Sequence, residues 1–422
     1  MPRPRRGISL GSVLMLLLAA GALVGTILFL GQVGKDSPVA AMRLDEIAGS
    51  FSRALTPAQQ GESPEPGPTP LPTAAAVQPL YTQTPAPQRL SMTIGGVLRY
   101  ESDVQASQSF LDGGAAILGS LAPYLHGDLL IAGFDQVIPS ELKRPGDVLV
   151  PDTVPQQIRA AGFGALLVPG VRAFDGGLND AKNTLDRIRA THLQPLGLGP
   201  EPVQVLRVNG LSIAWLHEGR EVNAAGQKAT SEEERAQLLR ARSDDQLIEQ
   251  VRALRAQYDV VIVSVGQGKR TGTAPTAAQR TLARGLGQAG ADLILGFGAE
   301  QVQEIEVYAL PDGSGGQRDV LIAYSLGTLL TENRNRREGL SGVLLNLTLE
   351  TRPGGKGLHY TGIQYTPTYV RKWAEGGKQH FAILPSAAQA PAGMSNTQKE
   401  AMQRSLQLIQ SAFQGSPAQL HR

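Results

Sequence analysis

The fold of this chain is decided by Asp259-Val-Val-Ile-Val-Ser-Val265 and by two segments that follow it, Thr276-Ala-Ala-Gln279 and Gly290-Ala-Asp-Leu-Ile-Leu-Gly296. The first run is apolar and β-branched, which is typical of a strand buried on both faces. The second has the spacing of a capping box and predicts a helix that runs to about Ala289. The third closes that helix and predicts another strand. Together they favour an α/β fold.

Other strands and helix starts are predicted on both sides of this stretch. Further apolar runs of strand length lie at residues 90–96, 127–135, 163–168, 303–308 and 320–327. The pair Asn209-Gly210 predicts a tight hairpin turn. Capping-box spacing, with Ser or Thr three residues before Glu or Gln, also predicts helix starts at Thr153, Ser231 and Ser243.

The order of these residues resembles the bacterial capsule-synthesis family, the CapA or poly-γ-glutamate synthesis group. The resemblance rests on the runs at 259–264, 289–292 and 322–327, together with Gln279 and Gln303. It covers roughly residues 90 to 370. It implies an α/β fold of the calcineurin-like metallophosphoesterase type, an α/β/β/α sandwich in which helices flank two sheets.

The resemblance also implies a two-metal centre at the strand ends, but the motifs that would build it differ here. The places of the family's ligands and catalytic histidine are taken by Gly96, Gly133, Val171, Arg172, Gly266, Gly298 and Glu300. Glycine and valine cannot coordinate a metal through a side chain. We therefore predict no metal site, no cofactor and no catalytic residue.

None of the six histidines falls on a motif of that family. His126 and His217 lie nearest to predicted strand ends. A lone histidine in such a place is usually a surface residue or a hydrogen-bonded polar residue, and we expect that of both.

Charged side chains are predicted to meet near the cleft at the strand ends where the family's two-metal centre would lie. We call this place the vestigial cleft. Arg172, Lys269 and Arg270 converge there if the fold is that of the family, and guanidinium groups match the geometry of carboxylates and phosphates. They are candidates for binding a polyanion; the alternative is that they are solvated loop charges. Acidic residues of the same cleft are Asp135, Asp175 and Glu300.

Composition limits the classes of function. The 422 residues carry a formal net charge of only +2, which does not favour nucleic acid as a partner. Cysteine is absent, which excludes disulfides, thiolate metal sites and a cysteine nucleophile.

The N-terminal residues predict a membrane anchor. Residues 8–30 are apolar and long enough to cross a bilayer, which takes about 20 residues. Arg3, Arg5 and Arg6 precede this stretch and favour a cytoplasmic N-terminus, with the rest exported as the extracytoplasmic part of a single-pass protein of the cell membrane. A signal peptide cleaved near Val39-Ala-Ala41 is the alternative.

Four regions are predicted along the chain. Residues 1–34 form the cytoplasmic stub and anchor, and residues 35–89 form a linker rich in Pro, Ala and Thr that cannot bury a core. Residues 90–385 form the CapA-like domain, and residues 386–422 form a helical tail.

Three functions remain open at this point. The leading one is a catalytically silent, membrane-anchored protein that binds or scaffolds in the synthesis or export of an envelope polymer. Its partners would be the bilayer and either an anionic polymer or membrane-bound synthesis proteins. The second is a metal-dependent hydrolase with a relocated site at Asp135, Asp175, Glu300 and Glu304. The third is a purely structural scaffold in a membrane complex.

Overall fold

Two β-sheets lie face to face in this protein, with helices on their outer faces. The computed structural model describes residues 87–141, 148–267, 272–312, 315–332, 341–351 and 358–421. The predicted anchor at residues 8–30 and the candidates Lys269 and Arg270 lie outside the described residues. Among those that are described, no helix has the length and apolar character needed to cross a membrane.

The described elements follow one another as predicted, with strands and helices alternating through the middle of the chain. The strands are β1 (Arg89–Leu98), β2 (Leu129–Phe134), β3 (Ala165–Val168), β4 (Gln194–Gly197), β5 (Val203–Val208), β6 (Leu211–Gly219), β7 (Val260–Gln267), β8 (Leu293–Gly298), β9 (Ile305–Pro311), β10 (Gln317–Ala323), β11 (Thr328–Leu330), β12 (Ser341–Thr351), β13 (Leu358–Glu375), β14 (Lys378–Pro385) and β15 (Gln419–Leu420). The helices are α1 (Ser102–Gln105), α2 (Gln108–Leu111), α3 (Ala115–Leu118), a 3₁₀ helix (Gly119–Tyr124), α4 (Thr153–Ala160), α5 (Leu178–Ala190), α6 (Ala224–Ala229), α7 (Glu232–Arg235), α8 (Asp244–Arg255), α9 (Ala277–Ala289) and α10 (Asn396–Ala412).

Each sheet combines parallel and antiparallel strand pairs. Within the described residues, the larger sheet has nine strands in the order β14-β13-β12-β1-β2-β3-β4, with β11 beside β1 and β15 beside β13. The smaller has six strands in the order β5-β6-β7-β8-β10-β9. The pairs β1–β2, β2–β3, β6–β7 and β7–β8 are parallel. The protein is thus a mixed α/β sandwich.

The apolar strands are buried on both faces because each face packs against a different layer. On β7, Val260 and Ile262 lie in the core between the two sheets. Val261 and Val263 point the other way and pack against helices α8 and α9. Successive side chains of a strand point to opposite faces, so alternate residues of one uninterrupted apolar run contribute to two different cores.

Most local predictions are confirmed, and one predicted capping box is absent. Capping boxes are present at Thr276, Ser231 and Ser243. Helix α4, by contrast, has Asp152 at its N-cap with no side-chain cap hydrogen bond, and Thr153 is its first helical residue.

The predicted strand at residues 320–327 is shorter in the structure, and its last four residues cross from the smaller sheet to the larger one. Strand β10 ends at Ala323 in the smaller sheet, and β11 then pairs with β1 in the larger one. Gly327 makes the crossing with φ of 67°, a conformation that favours glycine. The hydroxyl of Ser325 fixes the crossing by donating to the carbonyl of Ala299 at 3.0 Å.

Candidate functional site

The carboxyl ends of parallel strands from both sheets meet at one edge of the sandwich, where the sequence analysis expects the cleft and where ligands bind in many open α/β sheets. The end of β6 contacts the loop after β3, since His217 Nε2 lies 3.1 Å from the carbonyl oxygen of Pro169. The end of β8 is joined to β11 by a 3.3 Å hydrogen bond from Thr328 Oγ1 to the carbonyl oxygen of Glu300.

Arg99 lies at the centre of this cleft, directly after β1. Its Nη1 atom donates to Oε1 of Glu300, and its Nη2 atom lies 3.8 Å from Oδ2 of Asp135. Arg99 is 5% exposed, and the two carboxylates are each 4% exposed. Burial alone would lower the pKa of Arg99, but the charges of Asp135 and Glu300 outweigh burial and raise it. A buried guanidinium thus joins carboxylates from opposite sheets.

The charge of a third carboxylate, that of Glu101, also raises the pKa of Arg99. Its Oε2 atom accepts hydrogen bonds of 2.7 Å from both Thr331 Oγ1 and the backbone N–H of Glu332. Glu101 is therefore bound by its own donors and does not depend on the guanidinium.

The loop after β3 brings two more of the predicted residues to the cleft. The backbone N–H of Arg172 donates to Oδ1 of Asp135 at 3.0 Å. Oδ2 of Asp175 accepts from Asn223 Nδ2 at 2.9 Å, and its buried Oδ1 has no hydrogen-bond partner among the described residues. Burial raises the pKa of Asp175 above its ordinary value, against the opposing effects of Asn223 and Arg172.

Two of the positions that would carry metal ligands, Gly96 and Gly266, are sterically closed. A Cβ atom on Gly96 would lie 2.5 Å from the carbonyl oxygen of Gly327, and one on Gly266 would lie 2.8 Å from that of Pro169. Both neighbours are backbone atoms, so an aspartate or histidine at either place requires the chain to move. No group of three His, Cys, Asp or Glu side chains in the described ranges is arranged to hold a metal ion. The residues present do not fit a two-metal centre.

A large groove elsewhere is not part of this cleft. It has a volume of about 960 Å³ and is lined by α9, β9 and residues 411–417. Glu304, a candidate ligand of the hydrolase hypothesis, lies there and pairs with Arg280. Arg280 and Arg284 both also pair with Glu306, so the charges of the groove are largely balanced.

The structure brings some of the predicted site residues together and leaves others apart. Asp135 and Glu300 are joined through Arg99, and Arg172 and Asp175 follow on one loop beside them. His217 is buried and bonded at both ring nitrogens, and His126 is exposed, which confirms the expectation for both. Arg99 was missed, and the one signal for it was a cation directly after an apolar strand.

Comparisons with known proteins agree on one family. The model of the bacterial capsule synthesis protein family, PGA_cap, matches residues 97–333. The PGA biosynthesis protein CapA of Bacillus subtilis (strain 168) is 27% identical over 164 residues, which cover 37% of this chain and 40% of that protein. The capsule biosynthesis protein CapA of Bacillus anthracis is 25% identical over 182 residues, 41% of each chain. The chain thus spans about two fifths of the length of these curated relatives.

Two solved structures align with this chain at lower sequence identity. The calcineurin-like phosphoesterase YfkN from Bacillus subtilis aligns over 78% of this chain and 99% of its own, with 13% identity and a TM-score of 0.39. A 5′-nucleotidase from Staphylococcus aureus, described as putative, aligns over 76% of this chain and 58% of its own, with 10% identity and a TM-score of 0.39.

Proposed function

This chain belongs to the bacterial capsule synthesis protein family, and on that premise we propose that it is a member without hydrolytic activity that binds an anionic envelope polymer. The relatives that it matches are named for PGA and capsule biosynthesis. We take poly-γ-glutamate as the first polymer to test. We also propose that the sandwich is of the calcineurin-like metallophosphoesterase type.

The observation that carries the proposal is the guanidinium of Arg99 between Asp135 and Glu300. Metal-dependent hydrolysis requires cations that polarise the substrate and activate a water molecule. In this cleft a side-chain cation already faces the two carboxylates, and Gly96 and Gly266 leave no room for ligands. These features support binding without turnover.

Polymer binding would use three cationic residues, Arg172, Lys269 and Arg270. Arg172 is half-buried on the loop after β3, and Lys269 and Arg270 follow the last residue of β7 in the sequence by two and three positions. A guanidinium fork binds a carboxylate through two parallel hydrogen bonds, which suits a polymer of carboxylates. An anchor at residues 8–30 would present this cleft outside the membrane.

The test combines three measurements on the purified full chain. After incubation with manganese, zinc and iron, we expect no stoichiometric metal and no hydrolysis of a generic phosphodiester. Binding to poly-γ-glutamate should be measurable and should weaken as salt is added, because exposed charges are screened at high ionic strength. Neutral dextran of similar length is the control polymer. Turnover, or equal binding to dextran, would contradict the proposal.

One observation favours a hydrolase as the second candidate. Asp175 has a raised pKa and a buried oxygen atom with no hydrogen-bond partner in the part of the chain that the structure describes, which are properties of a general acid. In that case the full chain would show phosphodiester turnover that is lost in Asp175→Asn.

A further inference from the structure

We propose that the free edge of strand β9 binds an extended segment of a partner protein, in which acidic side chains alternate with apolar ones. The segment would extend the smaller sheet by one strand, a mode of recognition known as β-augmentation. Its site is the groove lined by α9, β9 and residues 411–417. The inference goes beyond the proposed function and does not rest on polymer binding at the vestigial cleft.

The backbone of β9 has hydrogen-bonding groups that no other strand uses. In the described part of the chain, β9 lies at the end of the smaller sheet and pairs with β10 alone. The backbone N–H of Leu321 donates to the carbonyl oxygen of Asp292 at 3.0 Å, so Leu321 faces β8 and forms a non-hydrogen-bonded pair with Val307. The N–H and C=O groups of Val307 therefore point away from the sheet. Because successive residues of a strand alternate, those of Ile305 and Ala309 do the same.

The groove follows this free edge. Its lining includes Ile305, Glu306, Val307 and Tyr308, four consecutive residues of β9. Consecutive side chains of a strand point to opposite faces, so a cavity lined by all four runs along the edge of the strand and not over one face. Free edges are commonly protected by lysine, by proline or by a bulge. Strand β9 has no lysine, pairs with β10 without a break in register, and has its one proline, Pro311, at its last position.

The two walls of the groove favour a single extended segment over a strand of another folded sheet. Tyr308 packs in the core beneath α9, and Ile305 packs in the core that contains Phe413, so β9 is flanked on both faces. A strand of a folded sheet carries packed layers of its own, and those layers would collide with the walls. The groove volume of about 960 Å³ is typical of a site for a small ligand or short peptide.

The exposed charge of the α9 wall selects acidic side chains. The side chain of Arg284 is 57% exposed, whereas that of its partner Glu306 is 18% exposed. Arg284 binds Glu306 through Nε and Nη2, so its Nη1 atom can donate to a carboxylate of the bound segment. The opposite wall, residues 411–417, contains no charged residue. A bound strand would thus direct acidic side chains towards α9 and apolar side chains towards residues 411–417.

The experiment measures the binding of synthetic peptides to the full chain by fluorescence anisotropy. The probe is a peptide of alternating Glu and Val, blocked at both ends and seven residues long, like β9. One control is the same peptide with every backbone nitrogen methylated, which removes its N–H donors, and the other is a peptide of alternating Lys and Val. We expect the Glu peptide to bind and to slow hydrogen exchange in β9. Both controls should bind at least about tenfold more weakly.

Variants of the chain locate the peptide. Val307→Pro removes the outward N–H but leaves the bonds to β10, because proline is tolerated on the free side of an edge strand. It should bind the Glu peptide at least about tenfold more weakly, whereas Val307→Thr, which keeps the N–H, should bind like the wild type. Arg284→Gln should weaken binding roughly two- to fivefold. Arg252→Gln on α8 and Arg172→Ala beside the vestigial cleft should leave the affinity for the peptide unchanged.

Four results would overturn the inference. They are no binding of the Glu peptide, equal binding of the N-methylated peptide, equal binding by a folded Val307→Pro chain, and loss of peptide binding in Arg172→Ala. Slow hydrogen exchange in β9 without peptide would show that the chain itself or a second copy fills the groove, which also overturns it. If Val307→Pro does not fold, the N-methylated peptide decides. A failure of polymer binding alone contradicts the proposed function and leaves this inference standing.

Discussion

His217 Nδ1 lies 2.9 Å from the Oγ atom of Ser264, on the neighbouring strand of the smaller sheet. The other ring nitrogen faces the carbonyl oxygen of Pro169, which can only accept, so Nε2 carries the proton and Ser264 donates to Nδ1. The Ser264 oxygen in turn accepts from Trp215 Nε1 at 2.9 Å. The neutral imidazole therefore makes a hydrogen bond at each of its two ring nitrogens. Burial lowers the pKa of His217 to about 4.

This relationship predicts that the protein loses stability in mild acid. Between pH 6.5 and pH 4 the unfolded state binds a proton on His217 that the folded state does not, so the free energy of unfolding rises with pH in this window. The contribution is complete above pH 6.5 and is lost as pH falls towards 4. Its size is roughly 3 kcal/mol, and denaturant unfolding at a series of pH values measures it.

The matched control is His192, an exposed histidine with φ of 59°, where asparagine is well tolerated. His217→Gln should be destabilised by about 1–3 kcal/mol at pH 7 and should have a flatter pH profile between 4 and 6.5. His192→Asn should keep the wild-type profile. A profile that is equally steep in His217→Gln would contradict the assignment.

A second prediction concerns the buried charges at the start of β8. Oδ2 of Asp292 accepts from the backbone N–H of Val261 at 2.8 Å and from Arg255 at 2.7 Å, and Arg318 lies 3.8 Å from Oδ1. Asp292→Ala leaves Arg318, whose side chain is 5% exposed, without its countercharge. We expect a loss of about 3–5 kcal/mol in denaturant unfolding.

The control for Asp292 is the exposed pair of Asp186 and Arg189, whose side chains are 72% and 48% exposed. Asp186→Ala should change the free energy of unfolding by less than about 1 kcal/mol, because exposed ion pairs contribute little. Similar losses in both variants would mean that burial of Asp292 does not matter.

The sequence was informative where structure is local. The capping boxes at Thr276, Ser231 and Ser243 each form between residues three apart, and the turn at Asn209 and Gly210 needs only two residues with positive φ, here 50° and 82°. The capping box expected at Thr153 does not form, because Asp152, one residue earlier, holds the cap position, although its side chain makes no cap hydrogen bond. The spacing identified a helix there and its first residue but not its N-cap.

The cleft was harder to predict because its contacts join distant parts of the chain. Arg99 and Glu300 are 201 residues apart, and no spacing links them. The predicted site was built from positions of a family pattern, and Arg99 is not one of those positions. Likewise, nothing local shows that Gly96 lies against the carbonyl of Gly327, since that contact depends on how β11 crosses to the larger sheet.

The lack of space for a side chain at Gly96 leads to a third prediction. Gly96→Ala should be destabilised by about 2–4 kcal/mol, because its Cβ atom meets a backbone oxygen that cannot move aside easily. Gly119 is the matched control: it has helical φ of −58°, and a Cβ atom there meets nothing within 4 Å. Gly119→Ala should be neutral or stabilising by up to about 1 kcal/mol. Thermal unfolding of the two variants, measured side by side, distinguishes them.

A fourth prediction tests the role of Arg172 in polymer binding. Arg172→Ala should weaken binding to poly-γ-glutamate by roughly two- to fivefold, as expected for one partly exposed ion contact. Arg252 is the matched control, because it is exposed and pairs with Glu249 on helix α8. Arg252→Ala should leave the affinity unchanged at the same ionic strength. Equal weakening by both would indicate binding to overall charge and not to the cleft.

The last prediction separates binding from hydrolysis at Asp175. Its pKa is raised by burial, so at neutral pH the carboxylate is less stable in the fold than in the unfolded chain. Asp175→Asn keeps an oxygen that accepts from Asn223 and removes the charge. We expect its thermal midpoint to rise at pH 7, with the difference vanishing below the ordinary pKa of 3.8. Polymer binding should not weaken, since the negative charge beside Arg172 is gone. A protein that hydrolyses phosphodiesters through Asp175 would instead lose turnover in this variant, so one substitution tests both functions.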